Sequence, residues 1–234
     1  MTILGVVQDV CAVVGVSLPT SVFAGLSGNR TMQEMVALAN EMAQRIAYDT
    51  RDWTALKKLK TYTGDGVQTA FDLPVDYKRM LLTANVRSSV SPTLTLRFIP
   101  DFDEWTERRA RNWNDSRGEW TIAGGQMLFA TAPANTSTMT WGYLDKNCVT
   151  LAAGGVNDRF QADDDTFRID ERLLKLGMIW QWKAQKGSPY AEDMGTYGDA
   201  LTIAMGKDSP APVLIDRLPI SAATKIAYPF PVPS

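Results

Sequence analysis

Residues 163–206 constrain the fold most, because every boundary in that stretch carries its own punctuation. Asp165 and Thr166 offer N-cap side chains, and Asp170 and Glu171 put negative charge in the first turn, where the helix dipole favours it. Lys183 and Lys186 fall in the last turn, and Gly187 can take the left-handed conformation that ends a helix. Ser188 then reads as the cap of a second helix with Pro189 at its first position, where a missing N–H costs nothing. The spacing predicts a helix over 169–186 and a second from Pro189 onward. A turn this short forces the two to lie antiparallel in contact.

The faces of this pair say what it packs on. Tyr190, Met194, Tyr197, Leu201, Ala204 and Met205 give the second helix one apolar stripe. The first helix carries two. Leu173, Leu176, Gly177, Trp180 and Ala184 make one, and Leu174, Met178 and Trp182 make another about 100° round the axis. So wide an apolar arc is buried on more than one side. Either this is the central helix of a core, or the stripe of Leu174, Met178 and Trp182 meets a neighbouring subunit.

Both ends of the chain supply such helices. Ile3, Val6, Val7, Val10, Cys11 and Val14 share a helical face after Thr2 as a cap, and Gly15 ends it. Thr31 with Glu34 forms a capping box for a second helix, whose stripe is Met35, Leu38, Ala39, Met42, Ala43 and Ile46. The middle alternates instead. Residues 59–63, 94–99, 119–123, 126–130 and 138–144 are strand-like, Gly64-Asp65-Gly66 reads as a hairpin signal, and Gly124-Gly125 joins two strands tightly. Phe71 to Tyr77 reads as a turn and short helical bracket, and 101–112 as a short charged helix. The simplest architecture is α+β. A helical bundle is built from both chain ends (1–57 and 161–206), a β-rich domain is inserted over 58–160, and an extended arm follows over 207–234.

That arm holds six of the twelve prolines. Proline blocks regular pairing, yet Val213, Leu214, Ile215, Leu218, Ile220, Ile226, Tyr228 and Phe230 give more apolar surface than a linker carries. An extended segment that docks on a partner through alternate side chains fits this pattern better than a free solvated tail.

Composition removes much chemistry. Histidine is absent, so Ser-His-Asp and Cys-His catalysis and every His-containing zinc site are excluded. The two cysteines, Cys11 and Cys148, permit neither a Cys-rich zinc cluster nor a disulfide framework. A net charge of −2 and a pI near 5.3 give no global basic footprint for nucleic acid. No signal peptide or membrane span is legible, which implies a soluble protein made in the cytoplasm. Asp163, Asp164 and Asp165 precede Asp170 and Glu171, but their spacing fits no calcium loop, so capping is the simpler role and no metal or other cofactor is expected. Arg108, Arg109, Arg111 and Arg117 lie among Trp105, Trp113 and Trp120. Interleaved acids dilute them, which favours a solvated surface or subunit contact over phosphate binding.

One family resemblance covers residues 1–206. The run ERLLKLGMIWQWKAQKGSPYAED resembles the signature of tailed-bacteriophage head-to-tail adaptor (connector) proteins, through Glu171, Leu173, Leu174, Leu176, Gly177, Trp180, Trp182, Lys183, Lys186, Gly187, Tyr190 and Glu192. FDLPVDYKRM is similar to the family's middle element, through Phe71, Leu73, Pro74, Asp76, Tyr77 and Arg79. The resemblance implies a structural virion protein without catalytic residues. It implies a homo-oligomeric ring, commonly of twelve copies, beneath the portal protein, with tail (nozzle, tube or tail-adaptor) proteins below and DNA passing through its lumen. On that reading Leu174, Met178, Trp182, Arg108, Arg109 and Arg111 are candidates for the subunit interface, and the apolar residues of the arm for portal or partner docking. Two other classes compete. Seven tryptophans and a β-rich middle would suit a carbohydrate-binding module, and the acids from Asp163 to Glu171 a metal-dependent hydrolase.

Overall fold

Five helices carry the segments expected to be helical in a computed structural model, which describes residues 1–208 except Gly25, Thr83 and Asn114. They are α1 (Ile3–Val14), α2 (Arg30–Tyr48), α3 (Phe102–Ala110), α4 (Glu171–Gln185) and α5 (Ala191–Asp208). With three small sheets they make a mixed α/β fold. Thr2 caps α1 by accepting from the Gly5 N–H, and Gly15 closes it at φ 76°. The start of α2 differs from the sequence reading. Asn29, not Thr31, accepts the Met32 N–H, and Glu34 pairs instead with Arg30 and Lys186. Asp170 alone caps α4, by accepting the Arg172 N–H. Gly187 ends that connection at φ 71°. Ser188 and Pro189 lie in the turn before α5, and the Tyr190 carbonyl accepts its early N–H from Met194.

The first sheet is built on β8 (Thr138–Asp145), flanked by β1 (Lys57–Thr63) on one side and by β3 (Tyr77–Met80) and β4 (Arg87–Ser88) on the other, all antiparallel. The second runs β2 (Ala70–Asp72), β7 (Gln126–Phe129), β6 (Glu119–Ala123), β5 (Arg97–Phe98), with β5 parallel to β6. The hairpin over Gly124-Gly125 forms as expected, with φ of 58° and 77°. The third is small, with β9 (Val149–Thr150) between β10 (Val156–Asn157) and β11 (Thr166–Phe167).

No hairpin forms at Gly64-Asp65-Gly66. Gly64 continues the ladder of β1 by donating to the Ser137 carbonyl at 2.7 Å, and the chain then crosses to the second sheet as β2. A Cβ on Gly64 would stand 2.5 Å from the carbonyl oxygens of Pro133 and Ala134, so the glycine permits a close backbone approach. The stretch from Phe71 to Tyr77 contains a strand end and a turn closed by Tyr77 N–H on the Pro74 carbonyl, without helix. The strand expected over 94–99 shortens to Arg97–Phe98.

Two hydrophobic cores result. One gathers α1, α2 and α4, and it also takes Leu56, Leu144, Cys148, Val149, Phe160 and Phe167. The small third sheet therefore shares its packing with the helices, although most of it comes from the stretch read as an insertion. The other lies between the first two sheets and is aromatic, with Tyr62, Phe71, Trp120, Phe129, Trp141 and Tyr143 around Met127 and Met139. Tyr62 stacks on Phe71 at 4.9 Å, and Phe71 meets Phe129 edge-on at 5.7 Å.

Candidate assembly surfaces and their supports

Helix α4 is the element the helical core is packed around, touching α1, α2 and α5. Leu174 and Met178 are wholly buried and Trp182 is 6% exposed, all within the protomer's own core. Each such side chain contributes roughly 1.5–3 kcal/mol through burial. The protomer's own core thus takes up this stripe, the first of the two alternatives that its apolar arc left open. The other stripe of α4 faces α5. Gly177 lets Met42 and Tyr197 close over the helix, and Trp180 sits between Tyr190 and Tyr197 with centroids 6.5 and 6.3 Å away.

Helix α5 covers that face thinly. Ala200 is its one buried residue; Tyr197, Leu201, Ala204 and Met205 pack against the core while partly exposed. Tyr190, Met194 and Ile203 stand open at 42, 51 and 55%. The α5 stripe read from sequence is thus partly covered from Tyr197 onward and open at Tyr190 and Met194.

The arginine cluster of α3 is mostly used inside the protomer. Glu119, on the first residue of β6, is fully buried and takes Arg108 Nη1 at 2.7 Å and Arg109 Nη2 at 2.8 Å. Arg109 also donates to the Ala130 and Trp113 carbonyls. The helix is thereby clamped to the sheet, a role sequence reasoning missed. The signal was an acid at the head of a strand whose side chain points inward. Arg111 differs: it lies at the surface, pairs with Glu107 at 2.7 Å, and rests over the exposed Trp113 ring.

The acidic run separates into distinct structural tasks. Asp163 accepts from Ser21 Oγ and from the Val22 and Phe23 N–H groups, fastening the loop between α1 and α2. Burial works against its charge, but these donors outweigh it and hold the carboxyl below its ordinary range. Asp165 is buried and accepts from the N–H groups of Gln161, Ala162 and Ala152. Neither caps α4. Among the described residues no group of three or more His, Cys, Asp or Glu side chains is gathered to hold a metal ion.

A second buried network ties the sheets to the helices. Asp145, fully buried, meets Lys58 Nζ at 2.9 Å and Arg168 Nη1 at 2.8 Å. Desolvation opposes its ionisation, while Lys58, the Asn147 N–H and Arg168 keep its carboxyl below the ordinary value. Asp76 adds a 2.6 Å bond from Lys58 and accepts from Tyr143 Oη at 3.0 Å. Arg79 reaches Asp52, just past α2, at 2.6 Å. The polar positions of FDLPVDYKRM therefore act as staples, and Phe71 and Tyr77 supply its aromatic contacts.

The remaining chemistry is quiet. Cys11 and Cys148 are buried free thiols, and burial pushes Cys148 up to about 11. Of the seven tryptophans, Trp53, Trp105, Trp120, Trp141 and Trp182 are buried and Trp113 is exposed, which leaves little aromatic platform for a glycan. No helix among the described residues is long and apolar enough to cross a membrane. Residues 209–234, with Val213, Leu214, Ile215, Leu218, Ile220, Ile226, Tyr228 and Phe230, lie outside the described residues. Lys207 and Asp208, the first two residues of the expected arm, belong to α5.

No curated protein matches the sequence. The model of the family described as SU10 adaptor protein matches residues 1–211, and the chain belongs to that family of phage adaptors.

Proposed function

We propose that this member of the SU10 adaptor family is a virion protein that closes as a ring beneath the portal, joins capsid to tail, and lets DNA pass through its lumen. The observation that carries the reading is the reach of the family match, which spans the whole described fold. The two clamped cores suit a rigid ring subunit, since buried ion pairs at Glu119 fix α3 to the second sheet and those at Asp145 fix the first sheet to the segment entering α4. A ring needs two unlike surfaces on each protomer. The open start of α5 at Tyr190 and Met194 is one candidate, and the α3 surface around Arg111 and Trp113 is another. A chain of net charge −2 offers DNA no general grip, which suits passage better than retention.

In the same reading, the apolar C-terminal arm docks on the portal or a neighbouring subunit, and tail proteins attach to the opposite side. Co-sedimentation with assembled portal tests this. The intact chain should travel with portal rings, and a chain truncated after Asp208 should stay folded and bind at least tenfold more weakly. Equal binding by both would remove the arm from the account.

A further inference from the structure

β1 is the longest strand at the margin of any described sheet, and its outer edge is bare. We propose that this edge takes an extended, acidic segment of another protein as an added strand. The pairing of β8 fixes which backbone groups of β1 are free. Ser89 and Leu81 donate to the carbonyls of Thr138 and Gly142, so the even-numbered residues of β8 bond toward β3 and β4. The odd-numbered ones, Met139, Trp141 and Tyr143, then bond to Tyr62, Lys60 and Lys58 in β1. The N–H and C=O groups of Leu59, Thr61 and Thr63 therefore point away from the sheet, and no described residue bonds to them.

The other margins are dressed. On β2 the outward carbonyls of Ala70 and Asp72 accept from the Gln68 amide at 2.5 Å and the Tyr62 hydroxyl at 2.8 Å. Beside β3 the Met80 carbonyl accepts from Arg79, and the Leu82 N–H donates to Asp52 at 2.9 Å. Thr95 and Leu96 cover β4, and Thr2 covers β11. β5 and β10, of two residues each, are too short to template a strand.

Charge decides what can pair with the bare edge. Such an edge joins its own kind unless something guards it, and lysine is a common guard. The strands of the first sheet carry six basic residues, Lys57, Lys58, Lys60, Lys78, Arg79 and Arg87, against one acid, Asp145. Lys58 is spent on Asp76 and Asp145 at 2.6 and 2.9 Å, and Arg79 on Asp52 at 2.6 Å. Lys57 and Lys60 form no ion pair among the described residues; Lys60 lies over the Tyr62 ring at 5.5 Å. Two β1 edges brought together would set these lysines against one another. A second copy is thus repelled, and an acidic strand is attracted by the same residues.

Alternation sets the partner's pattern as well. Leu59, 77% exposed, lies on one face with Thr61 and Thr63, and Lys60 lies on the other with Tyr62. An added strand therefore meets Leu59 with an apolar side chain and Lys60 with a carboxylate, one residue apart. Main-chain bonds supply the grip, and this alternation of apolar and acidic residues supplies the choice.

Residue-resolved hydrogen exchange on the intact, isolated chain tests this, with a capped peptide of alternating Val and Glu as the probe. At saturation it should slow the amides of Leu59, Thr61 and Thr63 by about tenfold or more, and leave those of Lys58, Lys60 and Tyr62 unchanged. A peptide of alternating Val and Lys should bind at least about tenfold more weakly. Thr61→Pro removes an outward donor and no bond to β8. It should keep the inward amides protected and weaken the Val-Glu peptide by about tenfold or more. Lys60→Glu, which leaves the backbone alone, should narrow the preference between the peptides by about fivefold.

Outward amides that the Val-Glu peptide fails to slow even in millimolar excess would overturn the proposal, as would equal binding of both peptides. Outward amides already protected in the isolated chain would show the edge taken within it, and protection that grows with protein concentration would assign it to a second copy; either overturns the proposal. Duplex DNA that displaces the peptide without slowing these amides would give the basic face to phosphate, with the same consequence. The readout needs no portal, so its failure leaves the adaptor reading standing.

Discussion

The two cores solve the same burial problem by different means. Around α4 the chain uses mostly aliphatic and methionine side chains, and helices from both ends of the chain pack on a single helix. Between the sheets it uses a cluster of aromatic side chains, and it brings together strands from the middle of the chain. Polar groups follow the same division. On the helical side buried carboxylates such as Asp165 are satisfied by backbone N–H groups, a local solution. On the sheet side Glu119 takes two arginines and Asp145 takes a lysine and an arginine, each across elements. The helical core is held by shape and the sheet region by shape plus ion pairs. The two should answer differently to substitution and to pH.

The largest effect should come from Leu174→Asp. It would place an unpaired carboxylate where no exposed surface exists, and the cost should be on the order of 4–5 kcal/mol. We expect a protomer that unfolds or loses its denaturation midpoint by most of its span, measured by urea titration. A folded variant that merely fails to assemble would favour the intermolecular account of this stripe.

Glu119→Gln should come next. Both arginine partners keep some solvent access, with side chains 19 and 26% exposed, so part of the loss is screened. About 2–3 kcal/mol remains as an expectation. The disturbance should appear first in the sheet region, as a change in tryptophan fluorescence from Trp105 and Trp120 at lower urea than the loss of helical signal. A single coincident transition shifted as a whole would show that the two cores unfold as one unit.

Asp163→Ala should cost least, on the order of 1–2 kcal/mol, because it releases the donors of one loop without opening a core. The pH dependence carries a definite sign. The carboxyl of Asp163 is held below its unfolded value, so its contribution is complete above the ordinary carboxylate range and is lost as pH falls through the lower folded value. Limited proteolysis at the loop around Val22 and Phe23 should therefore rise at acid pH in the intact chain, and already at neutral pH in the variant.

The same division explains what the sequence made legible. Helices announce themselves through spacing and caps within a few residues, so α1, α2, α4 and α5 were readable to within a turn. Cap identity was less so: Asn29 and Thr31 are both competent, and only the approach of the preceding loop selects Asn29. Strand pairing is decided by partners far away. Tyr62 meets Met139, so nothing near Gly64 could tell a hairpin glycine from one making room for the Pro133 and Ala134 carbonyls. The stripe of Leu174, Met178 and Trp182 was legible as apolar but not as inward-facing, because a buried face and an interface face look alike in sequence. Arg108 and Arg109 were visible as a cluster; their partner Glu119 stands ten or more residues away on another element.

Electron cryo-microscopy of the head-to-tail vertex in virions carrying this chain tests the central claim most directly. The adaptor account predicts density for the chain as a closed ring between portal and tail, with α4 inside each protomer and a channel wide enough for duplex DNA. A vertex in which portal and tail meet without this chain, or in which it sits only on the tail surface, would contradict it.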